Sequence, residues 1–531
     1  MTMPRSSRLA GLMLAIIGTS AGASPLGTQV SVAAGKLQAA PRGTDGVLAF
    51  KGIPYADPPV GPLRWRAPQP ARRWTEVRDA TRFGNRCLSA WTGDREPGPP
   101  RSEDCLTLNV WSAAADTSER RPVMVWLHGG GFLFGSSASA QFNGQPLAAK
   151  GVIMVTLNYR VGVLGFLAHP DLDREGPSGN YGLQDQLAAL RWVKANIARF
   201  GGDPGNVTLF GESAGAHAVG MLMASPQARG LFHKAIGQSG AFWDGKNGPL
   251  ESFDEARARG VAFVKRVGVP SVKALRALPA QDVNAAAPWD FTMNPMVTAF
   301  SPSVDRYIIP EVPAGRFARG LQMKIPLIAG WNEVEEYPFD KLGLPHRTAQ
   351  EFRDAAATMF GKDRLAEFLN LYPAADDAQA NASAAAFAGD IVIGEQTWHW
   401  LERQRRSGGG AVYGYKFTYT SPYTPIASHI TDVPFVLGTL TPQFIINSRT
   451  PPAAEDRAFS DTLMSYWINF AKRGDPNGPG LPYWPALTDT GVVQILGKTI
   501  EPQRNPQRAR FEFIASFRKN GVLPERWRAI P

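Results

Sequence analysis

An α/β protein built on a mostly parallel sheet is what the sequence predicts, on three observations. Apolar runs at 123–127, 152–157 and 207–210 have the near-continuous hydrophobicity of strands buried on both faces. A helical pattern at 183–200 separates the second from the third, with Leu183, Leu187, Leu190 and Ile197 near one face. Further strand-like runs at 235–238, 325–329, 411–417 and 492–496 alternate with helical stretches at 253–281 and 349–371. Strands alternating with helices imply helices packed on both faces of the sheet, and helical insertions after its strands supply a cap over a site.

From the N-terminus, residues 1–23 read as a secretory signal. Arg5 and Arg8 give a positive start, 9–17 a short apolar core, and Ala21-Gly22-Ala23 a small-x-small cleavage site ahead of Ser24. The apolar run is too short to span a bilayer, and no stretch after residue 30 is long and apolar enough to do so. Residues 24–531 read as one large domain with insertions, beginning with short strands at 30–33 and 47–50 and a turn-rich stretch at 52–61. A secreted or periplasmic location is oxidising. Cys87 and Cys105, the two cysteines of the chain, are then expected to pair across a Gly/Pro-rich loop. Closing such a loop contributes about 3 kcal/mol. No Cys/His cluster has metal-ligand spacing, so neither metal nor cofactor is expected.

The formal charge is +10; removing residues 1–23, which carry two arginines and no acid, leaves +8. The basic residues are scattered and no nucleic-acid-binding signature accompanies them, which argues against a nucleic-acid partner.

The chemistry begins at Gly211-Glu212-Ser213-Ala214-Gly215. An apolar strand precedes it and a small-residue helical stretch, 216–224, follows. A strand turning sharply into a helix holds a serine hydroxyl out on a strained corner, the G-x-S-x-G nucleophile elbow, whose glycines are needed where backbones crowd. The pattern alone is weak: Gly18-Thr19-Ser20-Ala21-Gly22 also matches, inside the signal segment. Context selects Ser213 as the nucleophile.

Acyl transfer also needs oxyanion donors, a base and a group that orients the base. His128-Gly129-Gly130-Gly131-Phe132 directly follows the strand at 123–127, and glycines let N–H groups approach a reacting carbonyl. Gly130, Gly131 and Ala214 are the expected donors. The base should follow the nucleophile in sequence, which leaves His233, His346, His399 and His429. The polar loop around His429 favours it slightly, and the pattern does not choose firmly. The acid is expected after the strand at 325–329, where Glu333, Glu335 and Glu336 compete without a chemical ranking.

Together these residues resemble the type-B carboxylesterase family, which includes the cholinesterases and bacterial para-nitrobenzyl esterases. Phe50-Lys51-Gly52-Ile53-Pro54-Tyr55-Ala56 and Glu103-Asp104-Cys105-Leu106-Thr107-Leu108-Asn109-Val110 are similar to its signatures. So are Gly179-Asn180-Tyr181-Gly182-Leu183-Gln184-Asp185-Gln186 and Phe200-Gly201-Gly202-Asp203-Pro204, just before the elbow. The resemblance covers nearly all of 24–531. It implies an α/β-hydrolase fold with helical insertions over an active-site gorge. Gly330-Trp331-Asn332-Glu333-Val334-Glu335-Glu336 aligns with the family's acid-bearing stretch and selects Glu335. Val334 and Glu336 stand where the family usually has Asp and Gly, which leaves Glu336 as the fallback. The run from His429 to Gly438 selects His429 as base. The resemblance further implies a Cys87–Cys105 bridge bordering the gorge entrance and a supporting role for Ser239 behind the acid.

The resulting expectation is a secreted serine esterase acting on small-molecule esters, with Ser213, His429 and Glu335 as its triad. Lactones, amides and specialised esters are alternative substrates, and a non-catalytic binding protein on the same fold is the rival of another class. Phe132, Phe242, Trp243 and Trp331 lie near the motifs as pocket-lining or core residues. Oligomeric state and natural substrate have no signature in the sequence.

Overall fold

The computed structural model describes residues 25–89, 98–241, 250–287, 300–335, 344, 348–440 and 450–518. The signal segment, His346, Phe242, Trp243 and Glu336 lie outside these residues.

Among the described residues, a ten-stranded sheet forms the centre. In chain order its strands are β1 (Leu48–Pro54), β2 (Thr107–Ser112), β3 (Arg121–Leu127), β4 (Ile153–Leu157), β5 (Gly202–Glu212), β6 (Lys234–Gln238), β7 (Leu327–Asn332), β8 (Val412–Phe417), β9 (Val492–Leu496) and β10 (Ile500–Arg504). Across the sheet they run β10-β9-β8-β7-β6-β5-β3-β4-β2-β1. From β9 through to β4 neighbours are parallel, while β10, β2 and β1 pair antiparallel at the margins. The expected mostly parallel sheet is therefore present.

Strand periodicity explains why the central runs are apolar throughout. Val123, Val125 and Leu127 of β3 enter one core and Met124 and Trp126 the other. In β4, Ile153, Val155 and Leu157 oppose Met154 in the same way. Successive side chains point to opposite faces, so a strand covered on both sides has no polar face to show. Helices supply the cover, among them α1 (Tyr181–Asn196), α2 (Ala214–Ala224) and α3 (Phe253–Val267). Leu183, Leu187, Leu190 and Ile197 all enter the first core, as their spacing predicts.

Two margins escape a search for apolar runs. In β2 the polar residues Thr107, Asn109 and Ser112 are buried alongside Leu108 and Val110. Asn109 resolves the cost by donating to Ser137 Oγ and Thr156 Oγ1 at 3.1 and 3.0 Å and accepting from Gly52 N–H. At the other margin β10 carries Pro502 and is largely exposed, as an edge strand tolerates.

The helical stretches at 253–281 and 349–371 are interrupted helices. The first divides into α3, Val272–Ala277 and Ala280–Ala286, the second into Ala349–Phe360 and Lys362–Leu371. Both insertions leave from the C-terminal ends of parallel strands, β6 and β7. In open α/β sheets that end is where binding crevices form.

Cys87 and Cys105 form a disulfide with Cα atoms 5.0 Å apart and a sequence separation of 18. Reduction is expected to cost about 3 kcal/mol, read as a lower urea midpoint in dithiothreitol than without it. An unchanged midpoint would assign the bridge no part in stability.

Candidate active site

β5 ends at Glu212 and α2 begins at Ala214, so Ser213 alone makes the corner. Its φ of 52° and ψ of −123° place a non-glycine residue in a sparsely populated region that costs about 1–3 kcal/mol. Hydrogen bonds on both sides hold it there. Ser213 N–H donates to Gln238 O at 2.9 Å, and Ser213 O accepts His217 N–H at 2.9 Å and His217 Nδ1–H at 2.8 Å. Burial lowers His217 to about 4, so its ring is neutral. The flanking glycine is a steric necessity: a β-carbon on Gly215 would lie 2.1 Å from Leu127 O.

The glycine turn after β3 lies against this corner. A β-carbon built on Gly129 would stand 3.1 Å from Ser213 Cβ. Gly130, at φ 103°, turns its carbonyl inward to accept Leu133 and Phe134 N–H at 2.9 and 3.2 Å. Gly131 follows at φ 61°, and Ala214 occupies the first position of α2, where a helix offers its N–H no internal acceptor. His128 stacks on Tyr159 with ring centroids 4.3 Å apart, and the Tyr159 hydroxyl donates to His128 O at 2.8 Å. Burial lowers His128 to about 4. It braces the turn as a neutral ring.

Two loops bring an acid to a histidine. Beyond β7, Glu333 N–H donates to Phe417 O at 2.9 Å and Val334 N–H to Ala427 O at 3.0 Å, and Val334 bridges Ser428 in parallel. This zipper sets Glu335 beside His429. Glu335 Oε2 accepts His429 Nδ1–H at 2.5 Å, and Oε1 accepts Asn332 N–H at 2.6 Å. Both side chains are buried. The far ring nitrogen, Nε2, lies 3.4 Å from Glu212 Oε1, on the residue preceding Ser213.

Burial works against charge on the His429 ring, but Glu335, Glu212 and Asp432 outweigh it and raise the ring above the ordinary imidazole value. Burial pushes Glu212 up to about 8, opposed by the His429 charge. Asp432 is also raised by burial, while it accepts from Tyr415 OH at 2.7 Å and Gln238 Nε2 at 2.9 Å.

Of the expected residues, the structure therefore pairs Glu335 with His429 and sets Gly130, Gly131 and Ala214 on the turns that flank Ser213. The other described histidines have different surroundings. His233 Nδ1 accepts Val207 N–H at 3.1 Å, and His399 Nε2 accepts from Arg403 one helical turn away at 3.3 Å. Ser239, at φ 50°, keeps its Oγ buried without a hydrogen-bond partner, while Glu335 is held by Asn332 and His429. Trp331 and Phe132 belong to the core: Trp331 Nε1 donates to Gln507 Oε1 at 2.7 Å, and Phe132 packs edge-on against Phe166. Sequence reasoning missed Asn332 and Asp432. A polar residue ending an apolar strand was the available signal for Asn332.

Comparison with known proteins supplies the class of chemistry. The carboxylesterase family model matches residues 26–514. Fumonisin B1 esterase of Sphingopyxis macrogoltabida is 37% identical over 467 residues, covering 86% of this chain and 84% of that protein. Para-nitrobenzyl esterase of Bacillus subtilis (strain 168) is 36% identical over 476 residues, covering 87% and 94%. Carboxylesterase 5A of Canis lupus familiaris is 34% identical over 547 residues, covering 94% and 90%. A solved PNB esterase superposes with a TM-score of 0.79 at 33% identity, covering 91% of this chain and 98% of the other. A Geobacillus stearothermophilus carboxylesterase does so with 0.78 at 33% identity, covering 91% and 99%. The shared architecture is the α/β-hydrolase fold. Matched along nearly its whole length by a family whose named members are esterases, the chain belongs to the carboxylesterase family and is a carboxylic-ester hydrolase.

Proposed function

We propose that the protein is an exported serine carboxylesterase working through an acyl-enzyme, with Ser213, His429 and Glu335 as its triad. The observation that carries this reading is the 2.5 Å contact between Glu335 and His429 Nδ1, with Nε2 turned toward the residue that precedes Ser213. Ser213 Oγ attacks the ester carbonyl and gives its proton to His429 Nε2. The tetrahedral oxyanion takes hydrogen bonds from the N–H groups of Gly130, Gly131 and Ala214. As the intermediate collapses, the carbon–alkoxide bond breaks and His429 returns the proton to the departing alcohol. Water, deprotonated by His429, then attacks the acyl carbon, releasing the acid and restoring Ser213. Glu335 keeps the ring in the tautomer that presents Nε2 as acceptor and stabilises the imidazolium that forms.

Export is supported by the signal-like segment and by the disulfide, which persists in oxidising compartments. Among the described residues no helix is long and apolar enough to cross a membrane. The substrate class is a small-molecule carboxylic ester.

The test is hydrolysis of p-nitrophenyl acetate, butyrate and octanoate by the chain from Ser24 onward. Release of p-nitrophenol with stoichiometric labelling of Ser213 by a fluorophosphonate supports the reading. A folded protein that neither turns over these esters nor takes the label would overturn it.

The pH profile is a second check. A protonated His429 cannot accept the serine proton, so kcat/KM falls as pH drops through its pKa. Because neighbouring carboxylates raise that ring, the acid limb is expected above the ordinary imidazole value of about 6.5. A limb well below that value would contradict the assignment of His429 as the base.

A further inference from the structure

We infer that Asn332 is a positioning residue for the reaction, fixing the base and the acid in a common register. The inference rests on the serine–histidine–glutamate reading above.

Asn332 is the last residue of β7 and is fully buried. Its backbone N–H donates to Glu335 Oε1 at 2.6 Å, a bond that any residue but proline could make. The side chain does what few residues could. Nδ2 donates to Ser428 O at 2.6 Å and to His429 O at 3.1 Å, and stands 3.4 Å from Asp432 Oδ1. All three are acceptors, which fixes the amide with its NH2 toward the histidine loop. Oδ1 is left buried without a partner. Leaving a buried oxygen unsatisfied is costly. An apolar side chain of similar size would avoid that cost, so the amide is useful for its donors.

The wider connections show what those donors hold. Ser213 N–H donates to Gln238 O at 2.9 Å, and the Gln238 side chain donates to Asp432 at 2.9 Å. Tyr415 OH donates to the same carboxylate oxygen. Asn332 joins this frame to the histidine loop and, through its own N–H, to Glu335. The elbow, the base and the acid thus hang from one hydrogen-bonded frame in which Asn332 is the junction. Displacing a reacting group by about 1 Å can cost about 10²-fold in rate.

The test is Asn332→Leu, which is close in volume, keeps the backbone N–H and removes every side-chain donor. Rates are taken per serine titrated with a fluorophosphonate, so misfolded protein does not count. We expect kcat to fall about 10- to 100-fold with KM within about twofold. The acid limb of kcat/KM should also move to lower pH, because a ring free to drift loses part of its contact with Glu335. The groups facing that ring are Glu335, Glu212, Asp432 and His217, and all four remain in the variant. A merely structural role would lower the titrated fraction and leave the limb in place. Should the leucine variant not fold, Asn332→Ser keeps one donor and is read in the same way, with a smaller displacement. A kcat within twofold of wild type, or a loss of kcat with an unmoved limb, overturns the inference. His429→Gln separates it from its premise. An active His429→Gln enzyme removes the triad reading, whereas an inactive one beside an unmoved Asn332→Leu limb removes only the role of Asn332.

Discussion

Ser213→Ala is expected to lower kcat for p-nitrophenyl esters by about 10⁶-fold while the protein stays folded. The substitution removes Oγ alone. The backbone hydrogen bonds that hold the corner, from Ser213 N–H to Gln238 O and from His217 to Ser213 O, do not involve the side chain. Alanine tolerates a φ of 52° no worse than serine does. The remaining rate over water comes from oxyanion donors and binding, which a nucleophile deletion leaves in place. The measurement is turnover beside circular dichroism and fluorophosphonate labelling. Activity within tenfold of wild type, in protein free of wild-type contamination, would remove Ser213 from the mechanism.

Glu335→Gln is expected to cost about 10⁴-fold in kcat, and the local geometry gives the reason. Both carboxylate oxygens accept hydrogen bonds, Oε1 from Asn332 N–H and Oε2 from His429 Nδ1–H. A glutamine amide has one acceptor and one donor group. Asn332 N–H can only donate, so it claims the amide oxygen and turns the NH2 toward Nδ1. Nδ1 must then accept, the ring proton moves to Nε2, and Nε2 can no longer take a proton. Glu336→Gln, its neighbour in the chain, should change kcat by less than a few-fold. The opposite ranking of the two variants would place the acid one residue further along.

These two variants differ in how readily the sequence announces them. The elbow is legible because its constraint is local: only glycine fits where Gly215 meets Leu127 O, and the apolar run before it declares a buried strand. The acid is not. Three glutamates follow β7 within four residues, and the choice among them is made by contacts with distant segments, Glu333 with Phe417 and Val334 with Ala427. The family resemblance selected Glu335 where composition and spacing did not. The histidine was ambiguous for a similar reason. His233 and His399 are engaged by a backbone amide and by Arg403, relations that a linear pattern does not contain. Polarity is also a poor guide to burial here: Asp185, on the helix beside the sheet, is fully buried against Arg160, and β2 hides its polar residues inside the core.

The strand order has a consequence for how this enzyme can change. The groups assigned to the chemistry come from the ends of β3, β5, β6, β7 and β8, which are contiguous in the sheet. The antiparallel strands β1, β2 and β10 lie outside that block on either side. Substitutions that share no partner combine nearly independently. Drift along those outer strands can therefore accumulate without retuning the reacting groups. Tethers, tags or surface anchors attached beside β1 or β10 meet the same tolerance. Changes of acyl or alcohol preference, in contrast, must be sought in the loops that leave the five inner strands.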